Sequence, residues 1–304
     1  MNNTKTVGNQ TDGRIIKSPG SNFTVLTQNG LVNCKARGIF RKYGITPVAG
    51  DLVKMSNAQG EDGVIAEILP RKNSLTRPPC ANIDSIIFVV STVAPPPNLF
   101  ILDKFITVAA FKHIDTAIAV TKTDLAANPK IKRIYEPVVS KIFEIDYNHP
   151  STLDGIKDFL NSKITIFTGN SGVGKSTLLN ALMPEIAAAT NEISVKLGRG
   201  KHTTRCVELY PYGTGFVGDS PGFSTFETAK YDNITREELP YCFKEFIPYL
   251  ETPCRFASCT HTKETGCNIF RHVLNGDISP SRFESYKKIF EETPRTKTAF
   301  NKPK

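Results

Sequence analysis

The chain has 304 residues, 39% hydrophobic and 22% charged, which is ordinary globular composition with room for two or three domains. Its longest apolar runs, such as IIFVV at 86–90, are far too short to span a bilayer. The polar start MNNTKTVGNQTDG offers no apolar secretory segment, so a soluble, cytoplasmic chain without membrane contact is expected. Net charge is +9, distributed as +6 over residues 1–79, −1 over 80–239 and +4 over 240–304. Basic flanks around a neutral centre fit either solvated faces or two surfaces that meet a polyanion such as RNA.

Residues 1–13 read as a disordered N-terminus. From 14 to 79 short apolar runs alternate with turn signals, including Asn29-Gly30 and Ala49-Gly50-Asp51. Several short strands in so few residues predict a small β-barrel, OB-like or SH3-like. RPPC at 77–80 reads as a linker. From Ile83 the rhythm changes to strands alternating with helices. IDSIIFVV, IDTAIAVTK, KIFEID and KITIFTG are the predicted strands. Between them, 98–113 has helical spacing, IKRIYEPVVSK is partly helical, and STLDGIKDFL is a short helix capped by Ser151 or Thr152. RCVELYPY and GTGFVGD add two strands, giving a parallel, helix-covered sheet over 80–232. Residues 233–292 read as a helical module, with two short amphipathic helices broken at Gly276 to Pro280, and 293–304 as a basic tail.

Gly169, Asn170, Ser171, Gly172, Val173, Gly174, Lys175, Ser176 and Thr177 form a G-x-x-x-x-G-K-[ST] loop between a strand and a helix. Its glycines let backbone N–H groups turn toward phosphates, and the helix N-terminus favours anionic charge. Lys175 is expected on the β/γ-phosphates and Ser176 on Mg²⁺. Asp219-Ser220-Pro221-Gly222 closes a predicted strand and matches D-x-x-G, which places Asp219 near Mg²⁺ and the Gly222 N–H at the γ-phosphate. Between them GRGKHTTR, 198–205, reads as a mobile switch I, with Thr203 or Thr204 closing over Mg²⁺. Phe223 stands where Ras-like enzymes place a water-orienting Gln, so His202 is the expected substitute and a catalytic candidate beside Lys175. The plain reading of His202 is a surface residue or an RNA contact.

The base reader comes earlier in the chain. Thr121-Lys122-Thr123-Asp124 ends a buried strand and matches [NT]KxD. The Asp124 carboxylate accepts both guanine N1–H and N2–H, a donor pair adenine lacks. The motif order is therefore TKTD, phosphate loop, HTT, DSPG, a circular permutation of the usual GTPase order. A fourth signal is Cys254-x4-Cys259-x-His261-x5-Cys267. Three thiolates and one imidazole suit tetrahedral Zn²⁺ with no open position, hence a structural site. His272, nearby, reads as a helix-surface residue.

Taken together, the barrel, the permuted motifs GNSGVGKST, GKHTTR and DSPGF, and the Cys–His cluster resemble the bacterial small-subunit-dependent GTPases of the RsgA family over roughly residues 14–292. The resemblance implies an α/β circularly permuted P-loop GTPase domain, an N-terminal all-β OB-like barrel that binds RNA and a C-terminal zinc-bound helical module. It implies GTP and GDP as ligands, Mg²⁺ with GTP, one structural Zn²⁺, and a monomer that binds the 30S subunit and 16S rRNA late in assembly. It further implies 30S-stimulated hydrolysis coupled to release, with the catalytic histidine on His202. Two departures stand out: Thr121 replaces the commoner Asn, and DYNHPST gives no recognisable second guanine loop. A permuted GTPase of the large subunit, and a zinc- and RNA-binding scaffold with a structural nucleotide, are the alternatives. Because residues 224–253 link switch II to the zinc module, the nucleotide state is expected to tilt that module against the body.

Overall fold

The computed structural model describes residues 10–56, 63–185, 206–220 and 234–295. Its first five strands are β1 (Gln10–Lys17), β2 (Asn22–Thr27), β3 (Gly30–Ala36), β4 (Leu52–Ser56) and β5 (Gly63–Ile68), with a one-turn helix α1 (Ile39–Lys42) after β3. They run in the order β1-β2-β3-β5-β4, and β4 pairs back onto β1. This closed five-stranded barrel, with β3 and β5 parallel, has the OB arrangement. Alternation along β2 turns Phe23 and Val25 inward against Ile15, Val53, Met55 and Ile65. β1 begins at Gln10, four residues ahead of the boundary expected from the sequence. The β2–β3 turn occupies Gln28 and Asn29, and Gly30, at φ +111°, opens β3. The turn thus falls one residue before the Asn-Gly pair.

RPPC is not a linker. Ser74–Thr76 (β6) and Pro79–Ala81 (β7) form a small hairpin, and Cys80 is wholly buried beneath the barrel. Ala49 bridges to Cys80, and a side chain on Gly50 would come within 2.0 Å of the Ala81 carbonyl oxygen. The barrel loop therefore lies directly on the hairpin. Arg71 seals it with two bonds of 2.6 and 2.7 Å to the buried Asp51 carboxylate.

The central sheet contains β8 (Ser85–Ser91), β9 (Asp115–Thr121), β10 (Lys141–Glu144), β11 (Ile164–Gly169), β12 (Glu208–Tyr212) and β13 (Gly215–Asp219). Its order is β10-β9-β8-β11-β13-β12. The first five strands of that order are parallel, and β12 is antiparallel to β13 on one side and to β1 of the barrel on the other. Every residue of β8 is buried, as expected for a strand covered on both faces. α2 (Leu99–Phe111), capped by the Asn98 side chain on the Ile101 N–H, covers one face with Leu102, Phe105, Ile106 and Ala109. α3 (Pro129–Tyr135) joins it there, while α4 (Asp154–Leu160) and α5 (Lys175–Leu182) cover the other face. Neither Ser151 nor Thr152 caps α4. A 3₁₀ turn at Pro150–Leu153 runs into it, and the Thr152 hydroxyl bonds the Asp146 backbone instead.

Beyond residue 233 come 3₁₀ turns at Leu239–Cys242 and Lys244–Phe246, then α6 (Ile247–Leu250), α7 (Asn268–Leu274) and α8 (Pro280–Glu292). Phe243, Phe246, Phe283, Tyr286 and Ile289 join the α2-side core in one continuous cluster. At its centre lies Arg282, fully buried, bonded to Glu245 at 2.7 Å and to Asp103 of α2 at 2.7 Å. Tyr135 of α3 donates to the same Asp103 oxygen. Burial pushes the Asp103 carboxyl up. Burial also works to lower the Arg282 guanidinium, but Glu245 and Asp103 outweigh it and hold it raised. Any tilt of this module against the body would have to break these buried charge contacts. His272 is also not a plain surface residue: it stacks on Tyr249 at 3.7 Å between ring centroids and bonds Asp277.

Candidate nucleotide and metal sites

Parallel order brings the C-terminal ends of β9 and β11 to one edge of the sheet, with β8 between them. Open α/β sheets bind ligands at this edge. Residues 170–174 loop from β11 into α5. Gly172 and Gly174 have φ of +81° and +92°, conformations that side chains resist, and they let the loop curl around its own amides. Gly169 is tight for another reason: a Cβ there would meet the Val89 carbonyl oxygen at 2.6 Å. Ser176 and Thr177 are exposed in the first turn of α5, and Lys175 opens that helix.

The base motif is tied to this loop. The Thr121 hydroxyl, fully buried, donates to the Val173 carbonyl. Lys122, at φ +61°, donates to Gly172 O at 2.9 Å and to Ala94 O at 2.8 Å. Its ammonium thus sits on the phosphate loop. Thr123 donates to Ile145 O at 2.7 Å, fixing the start of the 146–149 loop, and Asp124 is left exposed. In that loop the Tyr147 hydroxyl is buried without a partner, and burial, then the Asp124 charge, push it up to about 12. The tie through Ala94 has no sequence signature, because it depends on the loop after β8.

Asp219, at the end of β13, makes an ion pair with Lys175. Ser220 folds back, its hydroxyl donating to Phe167 O at 2.9 Å, and this holds the D-x-x-G start against β11. Lys175, Ser176 and Asp219 therefore converge beside the phosphate loop, an arrangement that fits a phosphate–Mg²⁺ group. His202, Thr203, Thr204, Gly222 and Phe223 lie outside the described residues.

The second cluster is at the far end. The donor atoms of Cys254, Cys259, His261 and Cys267 all lie within 4.8 Å of one another. His261 Nδ1 is 3.6, 3.7 and 3.5 Å from the three sulfurs. A tetrahedral ion with Zn–S near 2.3 Å and Zn–N near 2.0 Å sets those edges at about 3.5 Å. Burial pushes the Cys259 thiol up, and a cation at the centre of the cluster would hold it as the thiolate. The Asn268 and Phe270 amides point at Cys254 and Cys267 sulfurs, at 3.2 and 3.4 Å. Glu264 braces the loop by accepting from the Thr260, Thr262 and Lys263 amides.

Comparison with known proteins decides the family. Residues 68–229 match the model of the RsgA GTPase, and residues 12–65 that of the RsgA N-terminal domain. The chain belongs to the RsgA GTPase family. It is 38% identical to the small ribosomal subunit biogenesis GTPase RsgA of Bacillus cereus (strain ATCC 10987 / NRS 248), over 95% of this chain and 99% of that one. Identity is 40% to the protein of the same description from Geobacillus sp. (strain WCH70), over the same shares. The crystal structure of YjeQ from Thermotoga maritima matches with a TM-score of 0.76 at 32% identity, covering 93% of this chain and 98% of that one. That of YloQ, a circularly permuted GTPase, matches at 0.73 and 30%, covering 96% and 97%. As an RsgA-family member the chain is a GTP hydrolase, and its permuted sheet, closed barrel and Cys–His cluster are the family's architecture in this sequence.

Proposed function

We propose that this GTPase acts in biogenesis of the small ribosomal subunit, binding the 30S particle and 16S rRNA, with hydrolysis stimulated by 30S and coupled to release. The observation that carries the nucleotide half is the pair of bonds from Thr121 and Lys122 to the phosphate loop. They make base reading and phosphate holding one rigid unit, which suits a nucleotide bound across both. Asp124 is assigned to guanine N1–H and N2–H, and residues 169–177 to the phosphates. Lys175 neutralises charge on the β/γ-phosphates, and Ser176 and Asp219 hold Mg²⁺ directly or through water. When bound, Mg²⁺ supplies Lewis-acid charge stabilisation to the transferring phosphoryl group. His202 is assigned to orient the attacking water, Thr203 or Thr204 to switch I, and Gly222 to the γ-phosphate.

The RNA half rests on charge and shape. The face of β2 and β3 carries a groove of about 570 Å³ lined by Lys17, Asn22, Thr24, Asn33 and Lys35. In OB folds this face binds oligonucleotides. The four-ligand cluster takes one Zn²⁺ with no open position, so it holds structure and does no chemistry. A cytoplasmic monomer completes the reading, with a barrel that starts at Gln10, a hairpin over 74–81 beneath it, a GTPase domain to about residue 232 and a zinc module over 233–292.

The test is the multiple-turnover GTPase rate of the full chain with and without purified 30S subunits. A strong rise with 30S and none with 50S is expected, lost in Lys175→Ala and His202→Ala. Equal stimulation by 50S, or none by either, overturns the assignment.

A further inference from the structure

One strand pairing joins the barrel to the GTPase sheet, between β1 and β12. Lys17 of β1 is in register with Glu208 of β12, and Glu208 is in register with Asp219 of β13. The Lys17 ammonium pairs with the Glu208 carboxylate at 2.9 Å, and Asp219 pairs with Lys175. Directly opposed residues of an antiparallel pair project to the same face with Cβ atoms about 4.5–5.5 Å apart. Two carboxylates therefore stand side by side on the α5 face, each matched to a lysine on its far side. Tyr210, two residues along β12 on that face, packs with the α5-side core; burial first, then the Glu208 and Asp219 charges and a hydrogen bond to Glu208, push its phenol up. The order across the sheet is cation, anion, anion, cation, running from the barrel to the phosphate loop.

This arrangement has a directional consequence. Asp219 is the carboxylate assigned to Mg²⁺, so its neighbour Glu208 adds negative potential at the cation's position. Lys17 subtracts from that potential. Its charge belongs to the barrel, on the groove assigned to RNA.

We propose that Glu208 is a positioning residue for the Mg²⁺–phosphate site and that Lys17, through Glu208, makes the barrel a modulator of Mg²⁺ affinity. The proposal rests on the assignment of Asp219 to Mg²⁺. Anything that draws Lys17 away from Glu208, such as an RNA phosphate, unmasks the Glu208 charge and tightens the cation. RNA held on the barrel is then thermodynamically linked to the loaded nucleotide site, and the linkage is reciprocal.

A merely structural role for the Lys17–Glu208 pair makes the opposite claim. Removing either partner then breaks the same junction and has the same sign. The electrostatic role gives opposite signs, because one variant removes a positive charge and the other a negative one. Both side chains are partly exposed, so neither loss leaves a buried orphan, and the variants are expected to fold.

The experiment is a Mg²⁺ titration of the full-length chain loaded with a fluorescent GDP analogue, read as the free Mg²⁺ that half-suppresses analogue release. Lys17→Met should tighten Mg²⁺ about threefold and Glu208→Gln should weaken it about threefold. The double variant should return close to wild type, Lys17→Arg should match wild type, and all shifts should shrink as salt is raised. Asp219→Asn is the control and should weaken Mg²⁺ strongly. If Asp219→Asn weakens it while Lys17→Met and Glu208→Gln shift the same way or not at all, the relay is overturned. If Asp219→Asn has no effect, the Mg²⁺ assignment falls and the relay falls with it.

Discussion

Thr121 suspends the phosphate loop from the base-reading strand: its buried hydroxyl gives its one proton to the Val173 carbonyl. A threonine can do this because a strand end holds its β-branched side chain in one rotamer. The departure from the commoner Asn therefore keeps a donor aimed at the loop. Thr121→Val removes the donor and leaves a carbonyl without its partner, at a cost of about 1–3 kcal/mol. GDP affinity should fall together with melting temperature, and Thr121→Ser should restore most of both. A Val variant with unchanged affinity would show that the bond does not set the loop.

Asp124 should decide the base. In Asp124→Asn the side chain offers an N–H where guanine also presents N–H, so GTP binding should weaken ~100-fold or more. Xanthine carries an oxygen at that edge, so xanthosine triphosphate should bind the variant better than GTP does. Competition of the two nucleotides for a fluorescent analogue measures the switch.

Metal removal should unfold the C-terminal module first. Cys254, Cys259 and Cys267 pack against the large core, so the loop they hold is part of that core's wall. One zinc per chain is expected by elemental analysis, and none in Cys259→Ser. Chelation should lower the denaturant midpoint and expose the aromatic cluster of Phe243, Phe246 and Tyr286, seen as a rise in binding of an apolar dye.

Arg282 should be among the least replaceable side chains outside the nucleotide site. Arg282→Met leaves Asp103 and Glu245 buried beside each other without a cation, and the loss is about 3–5 kcal/mol. Urea unfolding should show one transition at a much lower midpoint. Adding Asp103→Asn and Glu245→Gln to the methionine variant should recover part of the loss, which a purely steric role for Arg282 would not allow.

The local motifs were legible because each is a short run whose spacing its chemistry demands. The strand–loop–helix of 169–177, the strand end at TKTD and the cluster of three cysteines with His261 could be read directly from order and type, while the Pro221-Gly222 half of DSPG lies outside the described residues. Strands such as 85–91 showed through unbroken hydrophobic runs. What stayed hidden was set by partners far away in sequence. RPPC looked like a linker because Pro-Pro breaks regular structure, yet Cys80 is packed under the barrel by Ala49, 31 residues away. Thr152 looked like a cap until the Asp146 backbone claimed its hydroxyl. Arg282 reads as one more helix-surface charge, because nothing within a few residues announces Asp103, 179 positions earlier.

That last pairing fixes an order of events during synthesis. The helix α2 that carries Asp103 is made early, but the guanidinium that neutralises it arrives only with residue 282 of 304. Until then the middle of the chain holds an unmatched acid on the face that α8 will cover. The α2 face of the nucleotide-binding core therefore lacks its buried cation until α8 has been made. It is finished from its C-terminal end, and a chain truncated before α8 should be recognised by proteases as incomplete even though every nucleotide motif is already present.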